Sequence, residues 1–255
     1  MPFLVKEKMV QKSYKRENII GFADVDYQER LRPFRVFELL EDISDAHANI
    51  LEIGAQSPVM EGYVWVVARN RYRLTRMPRL GEKITFETWP GQCQRAIYPR
   101  LFSMTDESGC RIGGVHSIWT LLDVKKQRLA VNPKINAMFP NTEDLGVPVE
   151  MPRKLKQPQP TRPPVYYTPA YSDLDRNRHV NNARYISWVC DCFAPERYED
   201  QTILDLEINY LQQAFAGEKI RMEIEEQGAS FLIQGNNDET DVPLFRAAGT
   251  FAKSK

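Results

Sequence analysis

Apolar and polar residues alternate over several short segments of the chain. From Lys83 to Glu87 and again from Ile220 to Glu225, every second residue is apolar, the period expected for a strand with one buried face. Other segments have a similar strand character. These further predicted strands span residues 63–75, 96–105, 112–124, 165–171, 204–211, 231–235 and 244–252.

Two other segments repeat apolar residues at three- and four-residue steps, which is typical of a helix with one buried face. The first runs from Val36 to Leu51, and Gly54 is predicted to supply its C-terminal stop. The second begins at Asn181, whose side chain can cap a helix, and ends before Pro195. Each helix is followed by several consecutive strands. This order predicts an α+β fold with antiparallel sheets, each wrapped around its own helix, and not a βαβ alternation.

A similar stretch of sequence leads into each helix. FADVDYQERLRPFRVFELLED near the start and AYSDLDRNRHVNNARYISWVCD past the middle align without gaps. The aligned pairs are Asp24 with Asp173, Asp26 with Asp175, Gln28 with Asn177, and Arg30 with His179. Residues 81–84 and 217–220 then both read Gly-Glu-Lys-Ile. Two matches in the same order predict a tandem duplication.

The duplication divides the chain into two related units. Residues 1–132 form the first unit and residues 165–255 form the second. Between them, residues 133–164 contain eight prolines, which remove backbone donors and restrict the preceding residue. This segment is predicted to be an extended linker, and neither a central strand nor a regular helix.

Composition excludes several classes of function. Lys and Arg number 34, and Asp and Glu also number 34, so the chain lacks the charge excess of a nucleic-acid surface. The mean hydropathy is −0.48, and no apolar run approaches the roughly 18 residues of a membrane-spanning helix. Four cysteines without a CxxC pair indicate neither a disulfide scaffold nor a zinc site. No metal or cofactor is expected, and the N-terminal sequence shows no signal or transit pattern, which predicts the cytoplasm.

Three polar residues directly before the second helix can carry proton chemistry. Asp175, Asn177 and His179 occupy alternate positions, so a locally extended backbone could project them to one side. A carboxylate and an imidazole can move a proton near neutral pH, an amide can orient them, and the N–H groups of the helix can stabilise an oxyanion. This set suits acyl transfer to water. The structural alternative is that Asp175 and the asparagines form a turn and cap the helix, and that His179 is a packed histidine. We interpret the other two histidines, His47 and His116, as packing residues.

These residues belong to a longer pattern. The stretch SDLDRNRHVNNARYISW resembles the second-half active-site motif of acyl-acyl carrier protein (acyl-ACP) thioesterases. GFADVDYQERLRPFRVFELLED and WVVARNRYRLTRMPRLGEKITFETWP resemble the first half of the same family. The resemblance implies two tandem hotdog units, each an antiparallel sheet around a long helix, and hydrolysis of fatty acyl thioesters on the carrier protein. By position, it assigns the family's catalytic Asp, Asn and His to Asp175, Asn177 and His179.

The sequence departs from the family at one part of this expected site. Where the family has an acidic residue or a cysteine after a strand tyrosine, this chain has Gln213 and Ala214. Either Gln213 positions the water without taking a proton, or turnover is weak. We favour Asp175 as the carboxylate that activates water, with Asn177 orienting the thioester or water and His179 as proton partner. Direct attack by Asp175 to give an anhydride uses the same residues and stays an alternative.

The first copy lacks this chemistry. Arg30 and Gln28 replace the histidine and the asparagine, so one active centre is expected, and the resemblance assigns the first unit to the acyl-chain pocket.

Two alternatives stay open: an acyl-CoA thioesterase of the same fold, and a non-catalytic module that binds an acyl chain or carrier protein. A basic run from Arg69 to Arg79 could dock the acidic carrier protein. Pairing of two chains into a homodimer is also left open.

Overall fold

A computed structural model describes residues 11–253 of the chain. The eleven strands in this range form one antiparallel sheet. The first half contributes helices α1 (Pro33–Ile50) and α2 (Pro133–Asn136) and strands β1 (Tyr14–Ile19), β2 (Tyr63–Leu74), β3 (Lys83–Pro90), β4 (Tyr98–Thr105), β5 (Arg111–Asp123) and β6 (Arg128–Ala130). The second half contributes helix α3 (Asn182–Asp191) and strands β7 (Val165–Tyr167), β8 (Gln201–Tyr210), β9 (Ile220–Gln227), β10 (Ser230–Asn237) and β11 (Pro243–Lys253).

The two halves of the sheet have the same strand order. It is β1-β3-β4-β5-β2 in the first half and β7-β9-β10-β11-β8 in the second, with β6 paired to β5 outside this path. The halves meet where β2 pairs with β8 over five residue pairs, from Arg69↔Asn209 to Arg73↔Asp205. The repeated order bears out the duplication that the sequence predicts.

Helix α1 is confirmed, but it ends differently from the prediction. It begins at Pro33, where proline fits because the first helical N–H groups have no partner within the helix. After Ile50 the left-handed residue is Glu52, at φ 59°, and its N–H donates to the Asn49 carbonyl at 3.0 Å. Gly54 is therefore not the stop. A Cβ there would lie 1.8 Å from Asn49 Oδ1, so the glycine is needed for space.

Helix α3 begins as predicted. The Asn181 side chain accepts a hydrogen bond from the Ala183 N–H at 2.8 Å, which satisfies one free donor of the first turn. Buried side chains of α3, including Trp188, pack with those of α1 in one core that the two halves share. A smaller apolar cluster lies beyond the C-terminal end of α1. It comprises Leu51, Ile53, Met60, Tyr98, Leu121 and Ile135.

The proline-rich segment crosses from the first half to the second. It opens with α2, so the prediction that this segment contains no regular helix is wrong for its first four residues. A 3-10 turn at Glu143–Leu145 follows, and residues 147–161 then run extended. We call residues 147–161 the strap. Every third residue of the strap is buried, namely Val149, Pro152, Leu155 and Pro158, which is the period of a polyproline II helix. The Leu155 N–H donates to Asn209 Oδ1 at 2.9 Å, so the strap is fastened to strand β8.

Helix lengths also bear on membrane insertion. Over residues 11–253, no helix combines the length and the apolar character needed to cross a membrane.

Candidate active site

A tight turn before helix α3 holds three of the four predicted site residues. The Asp175 N–H donates to the His179 carbonyl at 2.8 Å, and Arg178 takes a φ of 64°. The carboxylate oxygen Oδ1 of Asp175 accepts from the backbone N–H groups of Asn177 at 2.8 Å and His179 at 3.1 Å. The other oxygen, Oδ2, accepts from Asn177 Nδ2 at 3.3 Å. One oxygen of Asp175 thus closes the turn, while the other holds the Asn177 amide.

The first half builds the same turn around Asp26. Its Oδ1 accepts from the N–H groups of Gln28 at 2.9 Å and Arg30 at 3.0 Å, and Glu29 takes a φ of 58°. The Arg30 guanidinium occupies Oδ2 at 3.1 Å. This copy has neither a histidine nor an asparagine at the matching positions. The aspartate can therefore close the turn without any catalytic role. The structural alternative explains the contacts of Asp175 Oδ1, but not the contact between its Oδ2 and the Asn177 amide.

A cavity of about 620 Å³ lies beside the second turn. Helix α1 contributes Glu41, Asp42, Ser44, Asp45 and Ala48, and the spacing of all but Asp42 places them on one side of the helix. Strand β4 contributes Arg100. The second half contributes Asp175, Arg176, Asn177, Asn181 and Asn182. Much of the remaining wall is apolar or aromatic and comes from the first half, including Ile53, Met60, Val64, Trp65, Tyr98, Trp119 and Phe139. The cavity therefore joins the predicted site of one half to an apolar interior in the other.

The structure brings two of the four predicted residues to this cavity. Asp175 and Asn177 border it. The His179 ring instead packs edge-on against Phe215, with 5.3 Å between ring centroids, and is absent from the cavity wall. Gln213 is exposed and also lies outside the wall. The three alternate positions do not form one face, because a left-handed residue between them breaks the extended backbone.

Glu41, an acidic residue that the sequence analysis did not select, borders the cavity from the other half. Asn181 Nδ2 donates to its Oε2 at 3.0 Å. Burial raises the pKa of Glu41 to about 7; the Asn181 hydrogen bond opposes this shift, and the nearby carboxylates of Glu38 and Asp42 add to it. A carboxyl with a pKa in this range can take up and release a proton at neutral pH.

The sequence carried a signal for Glu41. It follows Phe37 by four residues and precedes Ser44 by three, so helical spacing puts it beside the buried face of α1. A charged residue there is rarely buried without a partner or a function. The signal was missed because the apolar members of the same face dominate the pattern.

The other two histidines are buried, as interpreted from the sequence. His47 Nδ1 lies 3.2 Å from Arg100 Nη1, and burial together with this guanidinium lowers the pKa of His47 to about 4. His116 Nδ1 lies 3.0 Å from the Val149 carbonyl at the start of the strap. Neither ring borders the cavity, so its wall contains no histidine among the described residues.

Family models match both halves of the chain. A model of the acyl-ACP thioesterase N-terminal domain matches residues 11–139, and a model of the C-terminal domain matches residues 160–248. The chain belongs to the acyl-ACP thioesterase family.

Individual members of the family show how far the likeness extends. Palmitoyl-acyl carrier protein thioesterase of Cuphea hookeriana is 29% identical over 160 residues, which cover 59% of this chain and only 38% of that protein's length. Oleoyl-acyl carrier protein thioesterase 1 of Arabidopsis thaliana is 25% identical over 262 residues, which cover 93% of this chain and 72% of that protein's length. The crystal structure of an acyl-ACP thioesterase from Bacteroides thetaiotaomicron superposes with a TM-score of 0.84 at 24% identity, covering 94% of this chain and 98% of that one. The α+β double hotdog predicted from the sequence is confirmed.

The two cysteines on and directly after helix α3 of this acyl-ACP thioesterase family member are poor nucleophiles. Burial raises the pKa of the Cys190 thiol well above its usual range and that of Cys192 to about 12. Ala214, at the position of the family cysteine, is buried and donates its N–H to the Tyr185 hydroxyl at 3.0 Å. Residues 11–253 also contain no group of three or more His, Cys, Asp or Glu side chains that could hold a metal ion.

Three arginines in the basic run of this family member form ion pairs within the chain. Arg71 and Arg73 contact Asp205 at 3.0 Å and 2.9 Å, and Arg76 pairs with Glu82. These pairs brace the β2–β8 junction and the neighbouring loops. That part of the run docks the acidic carrier protein stays a prediction.

Proposed function

We propose that this chain hydrolyses the thioester of a fatty acyl group on acyl carrier protein, releasing the free fatty acid and the carrier protein. The observation that carries the proposal is the composite cavity, in which Asp175 and Asn177 of the second half adjoin apolar walls of the first. A fatty acyl chain gains about 0.8 kcal/mol for each methylene that such walls bury. Its thioester needs the polar groups at the other end.

In this proposal Asp175 and Asn177 contact the reacting group. Oδ2 of Asp175 can accept a hydrogen bond from water, since Oδ1 is engaged in the turn, and the Asn177 amide can donate to the thioester carbonyl. Asn182 borders the cavity in the first turn of α3, where backbone N–H groups favour a developing oxyanion. His179 positions the turn through its backbone, and its role as a proton partner stays a prediction. Gln213 has no contact with the reacting group in this proposal, because it does not border the cavity.

Thiol release tests the proposal directly. The protein is incubated with a series of acyl chains on acyl carrier protein and with the same chains on CoA, and free thiol is measured over time. Multiple turnovers that favour the carrier protein support the proposal. Faster release from CoA supports the acyl-CoA thioesterase alternative, and tight binding of acyl carrier protein without release supports the non-catalytic module.

Two arginines within the turn of residues 175–179 fit an acidic carrier. Arg176 and Arg178 are exposed, and neither forms an ion pair with any residue in the described range. At low ionic strength, Arg178→Glu is expected to raise the KM for acyl-ACP about tenfold with kcat unchanged, because a long-range attraction becomes a repulsion. Steady-state kinetics at two salt concentrations measure this. Arg128→Glu, an exposed site on β6, is the matched control, and equal KM values for the two variants would contradict the assigned docking side.

A further inference from the structure

Asn181 links an acidic residue of the first half to the second half. Its side-chain oxygen accepts from the Ala183 N–H at 2.8 Å, and its Nδ2 donates to Glu41 Oε2 at 3.0 Å. The cap of α3 thus fixes the Glu41 carboxyl in the cavity wall that also contains Asp175. The second oxygen, Oε1 of Glu41, accepts no hydrogen bond from residues 11–253, so it is free to contact a water molecule.

The surroundings of Glu41 are mainly acidic. Glu38 and Asp42 of α1, Asp175 of the turn and Tyr210 of β8 interact electrostatically with its carboxyl. The same cavity is also lined by Asp45 of α1, Arg176 of the turn, Tyr63 of β2, and Tyr98 and Arg100 of β4. Arg35 is engaged by Glu38 and Asp24, so it does not neutralise Glu41. Burial is the main cause of the raised pKa of Glu41, and the neighbouring carboxylates add to it.

We propose that Glu41 is the general base that activates the attacking water in thioester hydrolysis. The inference rests on the proposed function and deepens it, because it gives the proton transfer to the first half, which lacks the set of Asp175, Asn177 and His179. Asp175 then orients the water and the Asn177 amide, with its turn-closing oxygen unavailable for proton transfer.

The step balances without a further reactant. The ionised Glu41 carboxylate takes a proton from water as the water oxygen adds to the thioester carbonyl carbon, and the carbonyl electrons move to its oxygen. When the carbonyl reforms, the carbon–sulfur bond breaks and the sulfur leaves with the bonding pair. Protonated Glu41 gives its proton to that sulfur. The products are the fatty acid and the free thiol, and Glu41 is again ionised.

The same inference accounts for the departure at the family's acid position. Gln213, which stands there, is exposed and lies outside the cavity wall. An amide cannot take up a proton from water. Glu41 supplies a carboxyl to the same cavity from α1, so an acidic residue at position 213 is not required.

Glu41→Gln is expected to lower kcat for acyl-ACP by about 100-fold or more, with KM within about threefold. Glutamine keeps the size of the side chain and an acceptor for Asn181, but it cannot act as a base. Wild-type kcat/KM is expected to fall about tenfold per pH unit below pH 7, as the pKa of about 7 for Glu41 requires. The residual rate of the variant should lack that inflection. Thiol release across the pH range measures both effects.

Glu38→Gln is the matched control, since Glu38 lies three residues earlier on α1 and does not border the cavity. It is expected to keep kcat within about threefold and to shift the inflection to lower pH, because a like charge near Glu41 is removed. If Glu41→Gln does not fold, Glu41→Asp replaces it and should show a lower kcat with the pH inflection retained. A Glu41→Gln protein with wild-type kcat and inflection would overturn the role of Glu41 alone. A wild-type protein that releases no thiol would overturn the proposed function itself.

Discussion

Asp175→Asn is expected to reduce thioester hydrolysis by about two orders of magnitude or more while the protein stays folded. Asparagine keeps an oxygen that can accept both backbone N–H groups of the turn, so the loop retains its shape. The negative charge that orients water and the Asn177 amide is lost, and losses of this size follow the removal of a charged group from a preorganised site. Thiol release from acyl-ACP, with thermal unfolding of the same preparation, measures the two effects.

The duplication supplies the control for this substitution. Asp26→Asn alters the equivalent turn, which has no part in the cavity but binds the buried Arg30 guanidinium. Its expected effect is the reverse: activity within about threefold of wild type, and a loss of about 1–3 kcal/mol in the free energy of unfolding, since a hydrogen-bonded charge pair is broken. Equal losses of activity in both variants would show that the two turns have been wrongly distinguished.

Ala48→Phe is expected to lower hydrolysis of palmitoyl-ACP about 60-fold and to leave octanoyl-ACP within about threefold. Ala48 borders the cavity seven residues after Glu41 on α1 and packs against the same apolar cluster as Trp65 and Phe139. A phenylalanine there would fill the space of about three methylenes, each contributing about 0.8 kcal/mol, or about 2.4 kcal/mol in total. Competition between the two substrates in one reaction gives the ratio directly.

A second variant on the same helix controls for added bulk. Ala46 is half-buried on α1 but lies outside the cavity wall, so Ala46→Phe should leave the ratio of long-chain to short-chain hydrolysis unchanged. If Ala48→Phe also leaves the ratio unchanged, the acyl chain does not occupy this cavity.

Much of the fold follows from local patterns in the sequence. The alternation over residues 220–225 and the cap at Asn181 each reflect a short-range preference, and both appear in the structure. Strand β1 was not predicted because its sequence shows no alternation of apolar residues. It is an edge strand that pairs with β3, and only its first and fifth residues, Tyr14 and Asn18, are partly buried. The location in the cytoplasm and the homodimer stay predictions.

The candidate site was harder to predict because it is assembled across the two halves. The motif located Asp175 and Asn177, but the His179 ring turns toward Phe215, and nothing in the spacing signals that direction. Glu41 precedes Asn181 by 140 residues in sequence, so no local pattern connects them. Their contact depends on α1 and α3 sharing one core, which becomes evident only in the folded chain.

The strap has a consequence for how the molecule behaves on dilution. Two unlinked halves would have to find each other in solution, and the fraction assembled would fall with their concentration. A covalent tether makes that encounter intramolecular, so its probability does not depend on the protein concentration. The composite cavity, which needs walls from both halves, is therefore expected to survive in dilute conditions under which a two-chain version would dissociate.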